Sequence, residues 1–214
     1  MSGVLISSLA ASGLYAIWFC NRPSSLTRVT VKTLATALLT LWAYLAGGPV
    51  LLVAALAFST LGDALLGAGE ERFLLGGMAA FFAAHVAYIA IFWPLAEVDR
   101  SGLILALQLI LTFGGAFYLR SLLPYIEKGM RWPVLGYGAI ILIMGNAALR
   151  LEPDLWLVTL GAMAFTLSDL ILAFELFRMP KQDSRRWLTA RLVWILYYGG
   201  QLAIAYGLVS HLAG

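Results

Sequence analysis

Charge is scarce in this chain. Of 214 residues, 12% are charged and 62% apolar, and the mean hydropathy is +0.89. A soluble domain carries roughly 25% charged residues. One core cannot hide this many apolar side chains, so much of the surface must be apolar, and lipid is the solvent that tolerates it. Cysteine is reduced to Cys20, which excludes an intramolecular disulfide. With two histidines, His85 and His211, and one cysteine, there is no basis for a three-histidine or mixed Cys/His zinc site. No metal and no cofactor is expected. A Gly-x-Ser-x-Gly elbow, a Walker loop and a Gly-x-Gly-x-x-Gly turn are all missing.

What the chain has instead is long apolar runs. A helix needs about 20 mostly apolar residues to cross the hydrocarbon core. Eight stretches qualify, at 4–20, 29–45, 50–66, 73–93, 103–119, 132–149, 155–177 and 188–212. Transmembrane β-strands would alternate over about ten residues, and these runs do not. The expected fold is therefore all-α: a polytopic membrane protein of about eight transmembrane helices, forming one helical-bundle domain over 1–214. The first run lacks a charged leader and a cleavage site, so it reads as a retained span. Residues 120–131 form the longest polar break and read as an interfacial segment. Trp93, Trp132 and Trp187 stand near span ends as interface anchors.

The 14 Lys and Arg residues are lopsided. If the runs alternate in direction, only Arg100 and Arg150 fall on one side. The positive-inside rule makes the crowded side cytoplasmic and puts both termini on the other. The expected location is a bacterial inner membrane. The net charge of +3 reflects this topology and does not suggest nucleic acid.

Two segments resemble each other: Thr60-Leu61-Gly62-Asp63-Ala64-Leu65-Leu66 in span three and Thr166-Leu167-Ser168-Asp169-Leu170-Ile171-Leu172 in span seven. They lie four spans apart, which suggests a 4+4 parallel repeat about an axis along the membrane normal. Asp63 and Asp169 would then face each other at similar depth, roughly 6 and 12 Å below the interface at 1.5 Å per residue. Intramembrane carboxylates are costly and normally face the bundle interior or a wet cavity. The plain alternative is a polar clamp between helices, with Ser59 and Thr166 taking part.

Other polar residues divide similarly. Lys32 either snorkels to the interface or meets an aspartate or a substrate phosphate. His85, with Tyr88 one turn on, is either a satisfied core residue or part of a site. Tyr197, Tyr198 and Gln201 are either packing and interhelical glue or cavity lining. Asn146 reads as structural, His211 as interfacial, and Glu175 as solvated or rimming an entrance.

Lys32, Leu61-Gly62-Asp63, Ala84-His85-Val86-Ala87-Tyr88, Leu167-Ser168-Asp169 and Tyr197-Tyr198-Gly199-Gly200-Gln201 together resemble the YhhN-type membrane protein family, whose animal members are lysoplasmalogenases. The resemblance runs over roughly residues 25 to 208. The family commonly has Lys-Pro where this chain has Lys32-Thr33. Gly199-Gly200 replaces bulkier residues, which points to a wider cavity. The resemblance implies a lysophospholipid substrate, a lysoplasmalogen, whose vinyl-ether bond is cleaved to a fatty aldehyde and a glycerophospho-headgroup.

The residues suit that chemistry. Vinyl-ether hydrolysis needs an acid to protonate the β-carbon and a negative group near the oxocarbenium ion. Glycosidases meet a related demand with two carboxyls. Two neighbouring carboxyls do not both ionise cheaply, so one keeps its proton while the other stays charged. Asp63 and Asp169 are the expected catalytic pair. Lys32 is expected at the phosphate, and His85, Tyr88, Tyr197, Tyr198 and Gln201 around water or headgroup. A small lipid or proton-coupled transporter is the main rival, because buried acids and repeats fit it too. A lipid-binding scaffold is another. An intramembrane aspartyl protease fits less well, since residue 60 is Thr and Gly-x-Gly-Asp does not occur.

Overall fold

A computed structural model describes residues 2–69, 71–97 and 102–213, without the side chains of residues 71, 212 and 213. Arg100, one of the two cations expected on the sparse side, lies outside the described residues. Among these, the chain is helical throughout, with one isolated bridge between Ala96 and Leu151. The helices are α1 (Ser2–Leu14), α2 (Leu26–Leu45), α3 (Val50–Gly67), α4 (Glu71–Phe92), α5 (Gly102–Leu109), α6 (Gly115–Leu122), α7 (Arg131–Ala148), α8 (Trp156–Phe177) and α9 (Arg186–Ala213). A π-helical turn at Ile110–Gly114 joins α5 and α6 into one rod, so the bundle has eight rods. A second π-helical turn, Tyr15–Phe19, extends α1.

Six rods are long and apolar enough to cross a membrane. The other two, α2 and α7, carry more polar side chains: Arg28, Lys32 and several threonines on α2, Arg131, Tyr137 and Asn146 on α7. They are the two helices that give Lys32 and Tyr137 to the interior, which explains their lower hydropathy.

Local chemistry sets the helix ends. The Ser25 side chain accepts the Arg28 backbone N–H at 3.2 Å and caps α2. At its other end Gly47 has φ +77° while Gly48 N–H closes back on Ala43 C=O at 2.8 Å. Pro49 and Pro153 precede α3 and α8. The polar break at 120–131 takes in the end of α6 and two 3₁₀ turns, Leu123–Tyr125 and Lys128–Met130, and Ile126 buries against Leu122 and Val134.

Neighbours in sequence pack side by side from α1 to α4 and from α7 to α9, and α4 packs on α7. Helix α9 returns to α2 and to the π turn of α1, closing the bundle, and Trp194 Nε1 donates to Ser12 C=O at 3.1 Å. The α5–α6 rod leans on α7 from outside and is mostly exposed. At one end, Ser24 Oγ donates to Gly67 C=O at 2.8 Å. At the other, Glu97 N–H donates to Arg150 C=O at 2.7 Å. Exposed Ile17, Phe113, Phe117 and Leu103 cover the outside, the surface that lipid would solvate. Trp93, Trp132 and Trp187 are exposed at helix ends.

The α8–α9 crossing is the tightest. A Cβ on Gly161 would lie 2.7 Å from Gly200 C=O, and one on Gly200 would lie 2.6 Å from Gly161 C=O. Only glycine fits on both sides, a close backbone approach of the kind that small residues permit in membrane helices. The wider cavity expected from Gly199-Gly200 is therefore corrected: Gly200 spends its missing side chain on this contact, and Gly199 faces open space.

Candidate active site

Six helices converge on a buried polar centre. Asp63, 0% exposed, projects from α3. Its Oδ1 lies 2.9 Å from Lys32 Nζ on α2, and Tyr197 on α9 donates its hydroxyl to Oδ2 at 2.7 Å. Asp169, 7% exposed, projects from α8. Tyr137 on α7 donates to its Oδ2 at 2.9 Å, and His85 Nε2 on α4 lies 3.5 Å from the same oxygen. Each aspartate is thus held by the helix before it in the chain and by a helix from the other end of the bundle.

Asp63 and Asp169 line one cavity of about 130 Å³, together with Lys32, Tyr137, Tyr197 and Ser168. Both carboxyls can therefore reach one small molecule or one bond of a larger one. Arg28, one turn before Lys32, also lines it, as do Tyr15, Trp194 and Glu175. Next to it lies a groove of about 300 Å³, which shares Arg28, Lys32, Leu66, Leu172 and Val193 with the cavity. Beyond those, the groove is walled by Leu74 and Leu176. The chamber that holds the two carboxyls thus adjoins a trough with leucine walls, with two cations where they meet. Arg28 spends two of its five donors on Phe19 and Cys20 carbonyls, at 3.2 and 3.4 Å.

Of the six residues expected around a substrate, Lys32 and Tyr197 line the cavity. His85 sits behind Asp169, fully buried against Phe165 and Tyr137. Tyr88 donates to Gln201 Oε1, and Gln201 Nε2 donates to Ser59 Oγ at 2.7 Å, so these three brace α4, α9 and α3 beside the cavity. Tyr198 points elsewhere: Ser8 Oγ donates to Ala35 C=O, and the Tyr198 hydroxyl donates to Ser8 Oγ at 2.6 Å. Thr166 bonds neither aspartate, and Asn146 bonds Thr112 and the Leu142 carbonyl near the opposite end. Glu175 accepts from Thr189 at 2.7 Å and meets Arg186 at 3.4 Å on the cavity rim. Among the described residues no cluster of three potential ligands could hold a metal ion.

Sequence reasoning missed Tyr137 and passed over Arg28. The signal for Arg28 was its i, i+4 spacing to Lys32 on one helix face. Tyr137 offered only a hydroxyl between two glycines of an apolar helix.

Three relatives bear on this arrangement. Lysoplasmalogenase TMEM86B of Mus musculus is 32% identical over 212 residues, covering 92% of this chain and 81% of the mouse protein. Lysoplasmalogenase TMEM86B of Homo sapiens is 33% identical over 155 residues, covering 72% and 61%. Lysoplasmalogenase TMEM86A of Bos taurus is 31% identical over 163 residues, covering 72% and 63%. The aligned part thus spans less than two thirds of the human and bovine proteins. No solved structure matches the chain. The YhhN family profile matches residues 27–208, which contain every residue of the buried polar centre, and the chain belongs to the YhhN family.

Proposed function

We propose that this protein is an intramembrane hydrolase of lysoplasmalogen type, cleaving the vinyl-ether bond of a single-chain phospholipid with Asp63 and Asp169 as its catalytic pair. The observation that carries the reading is that both carboxyls line one small buried cavity with a cation at its mouth. The naming of its relatives as lysoplasmalogenases supports the substrate class.

One carboxyl gives its proton to the β-carbon; the C=C electron pair forms the new C–H bond and an ether-oxygen lone pair completes an oxocarbenium ion. The second carboxylate stabilises that cation. Water adds to the cationic carbon and returns a proton to the first carboxyl. The resulting hemiacetal breaks its C–O bond to glycerol, its hydroxyl proton passes to the departing oxygen, and an aldehyde is left. No net proton, metal or redox partner is consumed.

The trough suits the alkenyl chain, and Arg28 with Lys32 suits the phosphate at the join. Because Lys32 is committed to Asp63, Arg28 is the freer cation for phosphate, and Lys32 serves mainly to hold the carboxylate. The pairing of Asp63 with α2 and α9, against Asp169 with α7 and α4, is the pattern expected of two four-rod halves. This supports the 4+4 parallel repeat. In the same reading all eight rods span a bacterial inner membrane, with both termini on the non-cytoplasmic side.

The test is aldehyde release by the purified protein, given lysoplasmenylethanolamine, its choline counterpart and an ester lysolipid. Aldehyde is expected from the vinyl ethers only. Asp63→Asn and Asp169→Asn should each lower kcat by about 10²- to 10⁴-fold, the usual worth of a positioned acid or base. Full activity in both folded variants would overturn the assignment of the pair, and lipid flux into liposomes without product would favour a transporter.

A further inference from the structure

Asp63 and Asp169 look alike in sequence, but their hydrogen-bonding surroundings differ. Asp63 faces two donors, the Lys32 ammonium and the Tyr197 hydroxyl. A carboxylate accepts at both oxygens and donates at neither, so this environment matches the ionised group. Asp169 faces Tyr137, which donates, and His85, which in its neutral form does not. His85 Nδ1 lies 2.7 Å from the Phe81 carbonyl of its own helix. A carbonyl only accepts, so the Nδ1 proton is spent there, and Nε2 of the neutral ring carries a bare lone pair. That nitrogen is buried, has no hydrogen-bond partner among the described residues and lies 3.5 Å from Asp169 Oδ2. A carboxyl between one donor and one acceptor matches the protonated group: Oδ2 accepts from Tyr137 and gives its own proton toward Nε2. The imidazole also packs against the Phe165 ring and the Tyr137 ring.

We infer that His85 is a positioning residue which, by committing its Nδ1 proton to Phe81 and offering Nε2 to Asp169, makes Asp169 the acid and Asp63 the carboxylate. This rests on the hydrolase reading and divides its labour. His85 does not line the cavity and touches no substrate; it acts through Asp169. The proton that rests between Oδ2 and Nε2 reaches the β-carbon when the Asp169 carboxyl turns it from the imidazole toward the cavity. When water later gives up its proton, Asp169 regains it against the same nitrogen, so the pair ends the cycle as it began.

Two conservative variants separate this role from packing. Glutamine places an amide oxygen near the Nε2 position and can accept from Asp169. Asparagine reaches only the Nδ1 position and leaves Asp169 without its acceptor. His85→Gln should keep kcat within about tenfold of the parent. His85→Asn should lose about 10²-fold or more in kcat with little change in KM. A merely structural histidine would give equal losses in both, and that result overturns the inference.

A second measurement does not depend on turnover. The infrared C=O stretch of a protonated carboxyl should be present in the parent protein and in Asp63→Asn, lost in Asp169→Asn, and displaced in His85→Asn but not in His85→Gln. A band that disappears in Asp63→Asn instead would overturn the assignment. If the parent releases no aldehyde yet shows this band pattern, the hydrolase reading fails while the proton arrangement stands. If it releases aldehyde and the band follows Asp63, only the arrangement fails.

Discussion

Tyr197 and Tyr198 are adjacent, yet one meets Asp63 and the other meets Ser8 at the far side of α9. Successive helical residues are turned by about 100°, so neighbours in sequence face different partners. Sequence reading placed both tyrosines near the site because it resolved their depth and not their rotation. The same limit explains Tyr88 and Gln201, which sit at the right level but brace the helices beside the cavity. Tyr137 was invisible because a hydroxyl in an apolar helix acquires meaning only from the α8 carboxyl that it meets. The acids, Lys32 and His85 were legible because a charged or ionisable group in a span is costly enough to need a reason. Lys32 now has one in its 2.9 Å pair with Asp63. Breaking such a pair from one side strands the other charge, at about 3 kcal/mol. Lys32→Met should therefore lower thermal stability in detergent, and Lys32→Met combined with Asp63→Asn should recover most of the loss. Additive losses would show that the pair contributes no coupling.

At the scale of the elements, α2 and α7 show how a helix of this bundle loses hydropathy when it serves the interior. Their polar residues count against them in an average over the helix, although Lys32 and Tyr137 face inward. Eight apolar runs were readable along the chain because charge or proline separates each from the next. The π-helical turn that splits the fifth rod was not, since Ile110–Gly114 is as apolar as its flanks. The Gly161–Gly200 crossing was equally hidden, as its function lies in an atom that neither residue has. It sets where Tyr197 stands relative to Asp169, one helix turn and two turns away along the respective helices. Gly200→Ala must force α8 and α9 apart or bend them, at about 1–3 kcal/mol. We expect a lower melting temperature and a larger fall in aldehyde release than stability alone explains. Gly199→Ala, which faces open space, should be neutral in the same measurements.

For the whole molecule, the asymmetry of Lys and Arg makes a claim that labelling can check. In a Cys20→Ser background, Gln182→Cys on the α8–α9 connection should react with a membrane-impermeant maleimide only after the cytoplasmic face is opened. Glu97→Cys, on the sparse side, should react in intact cells. The reverse pattern would invert the topology and leave the bundle unchanged. Either way, the chamber meets the trough through residues shared by α2, α3, α8 and α9. A catalyst fed through such a trough samples the two-dimensional solution of lipids around it and not the aqueous phase. Its rate should then follow the mole fraction of substrate in the membrane, so inert phospholipid acts as a diluent even when the total amount of substrate is unchanged. The two products would also part company at that junction: the aldehyde stays with the bilayer, and the glycerophospho fragment, having lost its only hydrocarbon anchor, leaves for water.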